Sequence, residues 1–369
     1  MKKKIAVLPG DGIGPEVIDQ AIKVLHAVSE RFGRQFEFTF ADVGAIAIDR
    51  TGDPLPQATL DLCLQSDAVL FGAIGHPRYD NDPNAKVRPE QGLLRLRKSL
   101  GLFANLRPVT TYPTLLHLSP LKEEKVKSVD MLILRELTGG IYFGEKGRTA
   151  DGAYDHCVYQ VYEIERIARL AFDYAMARRK RVTLVDKANV LETSRLWRDT
   201  VTKLAAEYPE VQLDWMYVDN AAMQLIQWPA HFDVLLTENM FGDILSDEAS
   251  VILGSLGMLP SASIGLHTSL FEPIHGSYPQ AAGEDIANPI AAILSAAMML
   301  DAFEWKTEAE TIRQAVWRLL EKGVGTPDLG LPIVHSCSHI GDMLAHLITE
   351  PDAIFLKEEK INLRVSTII

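Results

Sequence analysis

Asp243 and Asp247, in the run Asn239-Met-Phe-Gly-Asp243-Ile-Leu-Ser-Asp247-Glu248, are spaced to stand one turn apart on one face of a helix. Two carboxylates held that close repel each other. A hard divalent cation, Mg²⁺ or Mn²⁺, relieves the repulsion with oxygen ligands alone, whereas two separately solvated acids need no ion. Arginines supply the complementary chemistry. Arg97, Arg107 and Arg135 lie in Gly92-Leu-Leu-Arg-Leu-Arg97-Lys98, Leu102-Phe-Ala-Asn-Leu-Arg107-Pro108 and Leu134-Arg135-Glu136. A planar guanidinium grips a carboxylate bidentately, so several of them converging would hold a small diacid. Arg95 and Lys98 are equally readable as ordinary surface charges. Leu93 and Leu94 share a helix face with Arg97, and they form either an apolar patch beside the clamp or a core-facing stripe.

Two further polar groups, Lys187 and Asp219, each follow an apolar segment, at 182–185 and 211–218. Ligands in open α/β sheets bind beyond the carboxyl ends of strands, which puts both residues in position to act, or to cap helices. The glycine cluster Gly10-Asp-Gly12-Ile-Gly14-Pro15 invites a dinucleotide-binding reading. Pro15, however, stands where that fingerprint needs its third glycine, and the acidic Asp42 lies too far downstream. A tight turn opening a helix accounts for the cluster equally well.

The elements that must position these groups follow an alternating rhythm. Apolar strands are expected at 5–8, 36–40, 68–72, 182–185, 211–218 and 234–237, and helices at 16–32, 58–66, 162–179, 194–207, 243–253, 289–300 and 308–321. In 16–32, Ile18, Ala21, Ile22, Leu25 and Val28 recur at helical spacing behind Pro15, whose missing N–H fits a first turn. Segment 75–89 reads as a loop that lines a cleft, 254–288 as loop-rich, and 139–156 as an extended arm. Such alternation predicts an α/β fold with a largely parallel sheet.

At 369 residues the chain exceeds the usual single-domain range, so two domains are expected. A net charge of −12 leaves no basic surface for nucleic acid or anionic lipid, although Lys and Arg gathered in one cleft would still take an anionic substrate. Cys63, Cys157 and Cys337 are odd in number and far apart, as in a reducing compartment. The apolar stretch after Met1 is too short for a secretory leader, and the stretch 289–300 is below membrane-spanning length. A cytoplasmic protein is the expectation.

Assembled, these pieces resemble the isocitrate/isopropylmalate dehydrogenase family of β-decarboxylating dehydrogenases, over nearly the whole length. The resemblance is carried by LPGDGIGPEV at 8–17, GLLRLRK at 92–98, LFANLRP at 102–108, LRELTGGIYFG at 134–144, DKANVL at 186–191, ENMFGDILSDE at 238–248 and EPIHGS at 272–277. It implies two α/β domains sharing a large mixed sheet, not a Rossmann fold: residues 1–101 with 255–369, and 102–254. The second domain would form a homodimer, with the arm at 142–159 clasping its twin, and the active sites would be composite.

Carried onto this chain, the resemblance makes Arg97, Arg107, Arg135 and Asn189 substrate-binding residues, with Leu93 and Leu94 an apolar wall. Asp219, Asp243 and Asp247 become ligands of Mg²⁺ or Mn²⁺, Asp219 also contacting substrate. Lys187 is then the base for the substrate hydroxyl and Tyr142 the proton donor, with Lys187 and Asp219 reaching in from the partner chain. The loop ending at Glu90, with Glu272, His275, Gly276, Ser277, Gln280, Ala287 and Asn288, would bind NAD. The implied reaction is oxidative decarboxylation of a branched 2-hydroxy diacid, and the leucine pair points to the isopropylmalate branch and leucine biosynthesis. Relatives acting on tartrate, malate or homoisocitrate share the arginines and aspartates. A dicarboxylate binder without turnover would need neither Lys187 nor Tyr142. One departure stands out: Gln280 occupies the place of the family's usual Asp, so looser discrimination between NAD and NADP is expected, and Tyr278 replaces a small residue.

Overall fold

The computed structural model describes residues 2–80 and 87–351. Part of the expected cleft loop, 81–86, and the tail 352–369 assigned to the first domain lie outside the described residues. The strands that matter are β1 (Lys2–Gly10), β2 (Gln35–Phe40), β3 (Ala68–Ala73), β4 (Leu102–Thr110), β5 (Asp130–Glu136), β6 (Lys146–Arg148), β7 (Ala153–Asp155), β8 (Arg181–Asp186), β9 (Gln212–Tyr217), β10 (Val234–Thr237), β11 (Pro260–Gly265) and β12 (Ser269–Pro273). All but the β6–β7 hairpin belong to one sheet in the order β2-β1-β3-β12-β11-β4-β5-β10-β8-β9. Residues before 102 and after 254 therefore supply one contiguous half of the sheet, and residues 102–254 supply the other.

Both wings pair in parallel, while β12–β11, β11–β4 and β4–β5 are antiparallel. The parallel strands β3 and β10 are buried along their whole lengths, as strands covered by helices on both faces must be. Their sequences AVLFGA and VLLT accordingly run apolar without alternation.

The helix expected at 16–32 is present as Gly14–Phe32, with Pro15 in its first turn and Gly33 closing it in the left-handed conformation at φ 67°. Its apolar face, including Val17, Ile18, Ala21, Leu25 and Val28, is buried against the helices Ile290–Ala302 and Cys337–Thr349. Each fully buried aliphatic side chain there is worth about 1.5–3 kcal/mol. No helix among the described residues is long and apolar enough to cross a membrane.

Several elements depart from the sequence expectation. The segment 254–288 is loop-rich as expected, but it also supplies β11 and β12, which lie at the centre of the sheet and were not expected. Their sequences, PSASIG and SLFEP, hold few β-branched residues, and Pro260 sits opposite Pro273 at the end of the ladder. Small serines suit this spot because the buried helix Ile290–Ala302 packs directly on both strands, and Ser295 within it donates to the Glu272 carbonyl at 2.9 Å. Short helices at Ala45–Thr51 and Pro77–Asp80, and the final helix Cys337–Thr349, also escape the periodicity reading. The arm contains a 3-10 turn, Gly140–Tyr142, and the β6–β7 hairpin. Cys63 and Cys337 are buried thiols pushed up to about 12 by burial, which leaves them as packing groups.

Candidate active site

The arginines and aspartates meet. Helix Asn239–Ser250 starts directly after β10 and lies against β5 and β4, so Asp243 and Asp247 face the arginines those strands carry. Arg135, the penultimate residue of β5, is buried and ion-paired with Asp243. Arg107 on β4 donates through Nη1 to Asp247 Oδ1 and to Ser246 Oγ, both at 2.7 Å. Burial draws the Arg135 guanidinium below its usual value; Asp243 opposes this, and the nearby charges of Arg107 and Arg97 add to it. Positive charge concentrated this way favours a multiply charged anion.

Arg97 lies on the helix Pro89–Ser99 and lines a cleft with Leu93, Arg107, Glu272, Ile274, His275 and Gly276. Its Nη2 donates to Glu272 Oε1 at 3.0 Å, while its Nε is buried without a hydrogen-bond partner. An unspent guanidinium donor on the wall of a cleft suits an incoming carboxylate. Leu93 lines that cleft, Leu96 faces the core, and Leu94 points to solvent at 55% exposure. Arg95 is occupied elsewhere, bonding Asp53 and the Leu55 carbonyl as a structural charge.

Tyr142 stands at the same place. Its Oη donates to Asp243 Oδ2 at 2.9 Å, and its ring lies 5.8 Å from the Arg135 guanidinium. Burial, reinforced by the bond to Asp243, holds its phenol above the usual value, so it stays protonated. Lys187 and Asp219 do not join this cluster within one chain. They pair with each other, Nζ to Oδ1 at 2.8 Å, beyond the ends of β8 and β9. That bond draws the Asp219 carboxyl below its usual range. Asn189 is exposed on the same turn as Lys187.

On the opposite wall, the glycine cluster explains itself. A Cβ at Gly12 would lie 1.9 Å from the Ser277 carbonyl oxygen, and Ile13 N–H donates to that same oxygen at 2.8 Å. The cluster is a scaffold turn on which the 272–277 loop rests. His275 Nδ1 contacts the Gly276 carbonyl at 2.9 Å, its Nε2 is buried without a partner, and burial pushes the imidazole toward the neutral form. Glu90 and Ser277 both flank Gly75. Asn288 accepts from Ile290 N–H at 3.0 Å and donates to Asp328 at 3.1 Å; Ala287 packs its side chain into the core, and Gln280 is exposed.

Three supporting residues escaped the sequence reading because each acts through another. Asn105 accepts from Arg107 Nε at 2.9 Å and donates to Ser261 Oγ at 2.8 Å, orienting the clamp from below. Asp11 is buried, and burial pushes its carboxyl up against three backbone N–H bonds from Ala45, Ile46 and Gly75 at 2.9, 3.1 and 3.0 Å. Asn239, beside Asp243, accepts from Arg135 Nε and Nη2 at 3.1 and 3.0 Å. The only advance signal for them was their place inside the motifs.

The mixed sheet thus brings Arg107 and Arg135 onto two carboxylates one helical turn apart with Arg97 close by, groups whose chemistry suits a small diacid and a hard cation. A sequence profile described as isocitrate/isopropylmalate dehydrogenase matches residues 4–344, and the chain belongs to that family. It is 58% identical over 329 residues to the 3-isopropylmalate dehydrogenase of Bacteroides fragilis, covering 89% of this chain and 93% of that one. With the 3-isopropylmalate dehydrogenase of Moorella thermoacetica it shares 60% over 334 residues, 89% of this chain and 94% of the relative. Among solved structures, the isocitrate dehydrogenase of Methylococcus capsulatus is 36% identical with a TM-score of 0.83, covering 94% of this chain and all of that one. A β-decarboxylating dehydrogenase from Thermococcus kodakarensis is 38% identical with a TM-score of 0.79, covering 94% and 96%.

Proposed function

We propose that this enzyme oxidises and decarboxylates 3-isopropylmalate to 2-oxoisocaproate with reduction of NAD, a step of leucine biosynthesis. The observation that carries the reading is that Arg107, on the cleft that Arg97 and Leu93 also line, pairs with Asp247, one helical turn from the Asp243 that pairs with Arg135 and accepts from Tyr142 Oη. The relatives named as 3-isopropylmalate dehydrogenases support the substrate.

Asp243 and Asp247 offer hard oxygen donors and no nitrogen or sulfur, which fits Mg²⁺ or Mn²⁺. The family resemblance implies the partner's Asp219 as the third ligand, and among the described residues of the single chain no group of three such side chains forms. The bound cation would supply Lewis-acid polarisation of the substrate hydroxyl and its neighbouring carboxylate. His275 Nε2, buried and unpaired, and the open face at Gly276 fit a polar cofactor edge, and bound NAD would accept the hydride from C2.

In this reading the guanidiniums of Arg97, Arg107 and Arg135 fix the two carboxylates. Lys187 of the partner takes the hydroxyl proton, and Tyr142 delivers a proton to the carbon that CO₂ leaves. The dimer this requires is supported by an apolar face on the second half of the sheet. Met223 and Ile226 on one helix, Trp228 just beyond it and Ile244 on the neighbouring helix are each more than half exposed in the single chain. Exposed apolar side chains on two neighbouring helices suit an association surface. The split of the sheet at β11–β4 supports the domain boundaries 1–101 with 255–369, and 102–254. Placement in the cytoplasm follows from the biosynthetic role.

Following nicotinamide reduction with Mg²⁺ and 3-isopropylmalate, beside isocitrate, tartrate, malate and homoisocitrate, tests the assignment; a higher kcat/KM on any of the other four would displace it. Leu93→Ser is expected to raise KM for isopropylmalate ~10-fold or more while leaving malate within ~2-fold, because burying a branched group contributes roughly 1.5–3 kcal/mol. Equal effects on both substrates would remove Leu93 from the pocket. Gln280→Asp is expected to strengthen the preference for NAD over NADP ~10-fold, since a carboxylate there repels a 2′-phosphate. Unchanged discrimination would show that position 280 does not read the ribose.

A further inference from the structure

Behind the reacting groups lies a buried polar chain that the proposed chemistry leaves unused. Asn239 is 1% exposed, and both ends of its amide are bonded. Its Oδ1 accepts from Arg135 Nε and Nη2 at 3.1 and 3.0 Å, and its Nδ2 donates to the Gly139 carbonyl at 3.1 Å. Its backbone N–H donates to Tyr159 Oη at 3.0 Å, and Tyr159 in turn donates to Glu238 Oε2 at 3.2 Å.

Each end of that amide holds a different part of the site. Gly139 begins the 3-10 turn Gly140–Tyr142 that aims the Tyr142 phenol at Asp243. The turn is packed too tightly for alternatives: a Cβ at Gly139 or Gly140 would meet the Tyr159 ring at 2.5 or its hydroxyl at 2.4 Å, and Gly140 adopts φ 73°. Arg135, at the other end, has five N–H donors. Asn239 takes two and Asp243 takes one, so the two that remain are fixed in direction. Serine or alanine at 239 could not span both partners, because only a planar amide offers an acceptor and a donor on opposite edges.

We infer that Asn239 is a positioning residue that couples the diacid clamp to the proton donor, setting the spacing between Arg135 and Tyr142 through one buried amide. The inference rests on the roles proposed above for those two residues. It predicts that decarboxylation geometry fails when the amide is changed even though neither Arg135 nor Tyr142 is touched. A misplacement of about 1 Å is enough for a ~100-fold loss of rate.

The test is a double-mutant cycle on the full-length enzyme with Mg²⁺, NAD and 3-isopropylmalate. Asn239→Ala is expected to lower kcat ~100-fold and raise the diacid KM, with the dissociation constant for NAD unchanged by direct titration. In that background Tyr142→Phe should cost ~10-fold less than it does in wild type, because the phenol is already misaimed. Asn239→Asp keeps the shape but sets an oxygen against the Gly139 carbonyl, and serves if the alanine variant does not fold. Strictly additive losses, or a variant that loses only melting temperature while keeping kcat and KM, would overturn the coupling. Wild type without turnover on the diacid would instead reject the functional reading, and the inference with it.

Discussion

Asp243→Asn is expected to lower kcat/KM for the diacid by ~10³-fold or more and to abolish most of the rate increase with Mg²⁺, because the residue holds three parts of the site at once. It pairs with Arg135, accepts from Tyr142 Oη, and stands one helical turn from Asp247. An amide keeps one acceptor oxygen for Arg135 and can donate its NH₂ to the Tyr142 oxygen, so the fold should survive. What it removes is a negative charge, and hard cations bind charge-poor oxygen sites weakly. Melting with and without Mg²⁺ checks the second half of the expectation: the stabilisation that bound metal gives wild type should vanish in the variant. A variant with wild-type rate and wild-type metal response would remove Asp243 from the centre.

Lys187→Met should lower kcat by ~10²–10⁴-fold, the usual range for losing a positioned general base, with little change in NAD affinity. The more informative experiment mixes it with Asp243→Asn. Lys187 lies beyond β8, paired with Asp219 and bonded to none of the clustered arginines or aspartates in its own chain. If it serves the neighbouring chain's site, a mixed dimer of the two variants contains one intact site and one doubly damaged site. Random reassociation would then restore about a quarter of wild-type activity, since about half of the dimers are mixed and each has one working site. Sites complete within single chains would restore nothing on mixing.

How far this architecture was readable in advance depended on periodicity. The helix at 14–32 and the strand Val234–Thr237 were legible because their apolar positions follow helical spacing in one and run unbroken in the other. β11 and β12 were not, since short serine- and proline-bearing strands in a crowded sheet centre carry neither alternation nor β-branched runs. The charged groups of the site were legible as residue types at suggestive spacings. Their convergence was not, because Arg97, Arg107, Arg135 and Asp243 come from a helix, two antiparallel strands and a helix that only the sheet order brings together. The asparagines Asn105 and Asn239 were least visible of all. A buried amide that orients an arginine has the same composition as any other asparagine until its partners are placed.

The most direct measurement is a crystal structure of the enzyme grown with 3-isopropylmalate and Mn²⁺, using the metal's anomalous signal to locate it. The account predicts one peak bounded by Asp243 and Asp247 of one chain and the partner subunit's Asp219, with the substrate carboxylates on Arg97, Arg107 and Arg135 and the isopropyl group against Leu93. A metal peak away from that aspartate pair, or a diacid bound without contact to those three guanidiniums, would contradict it.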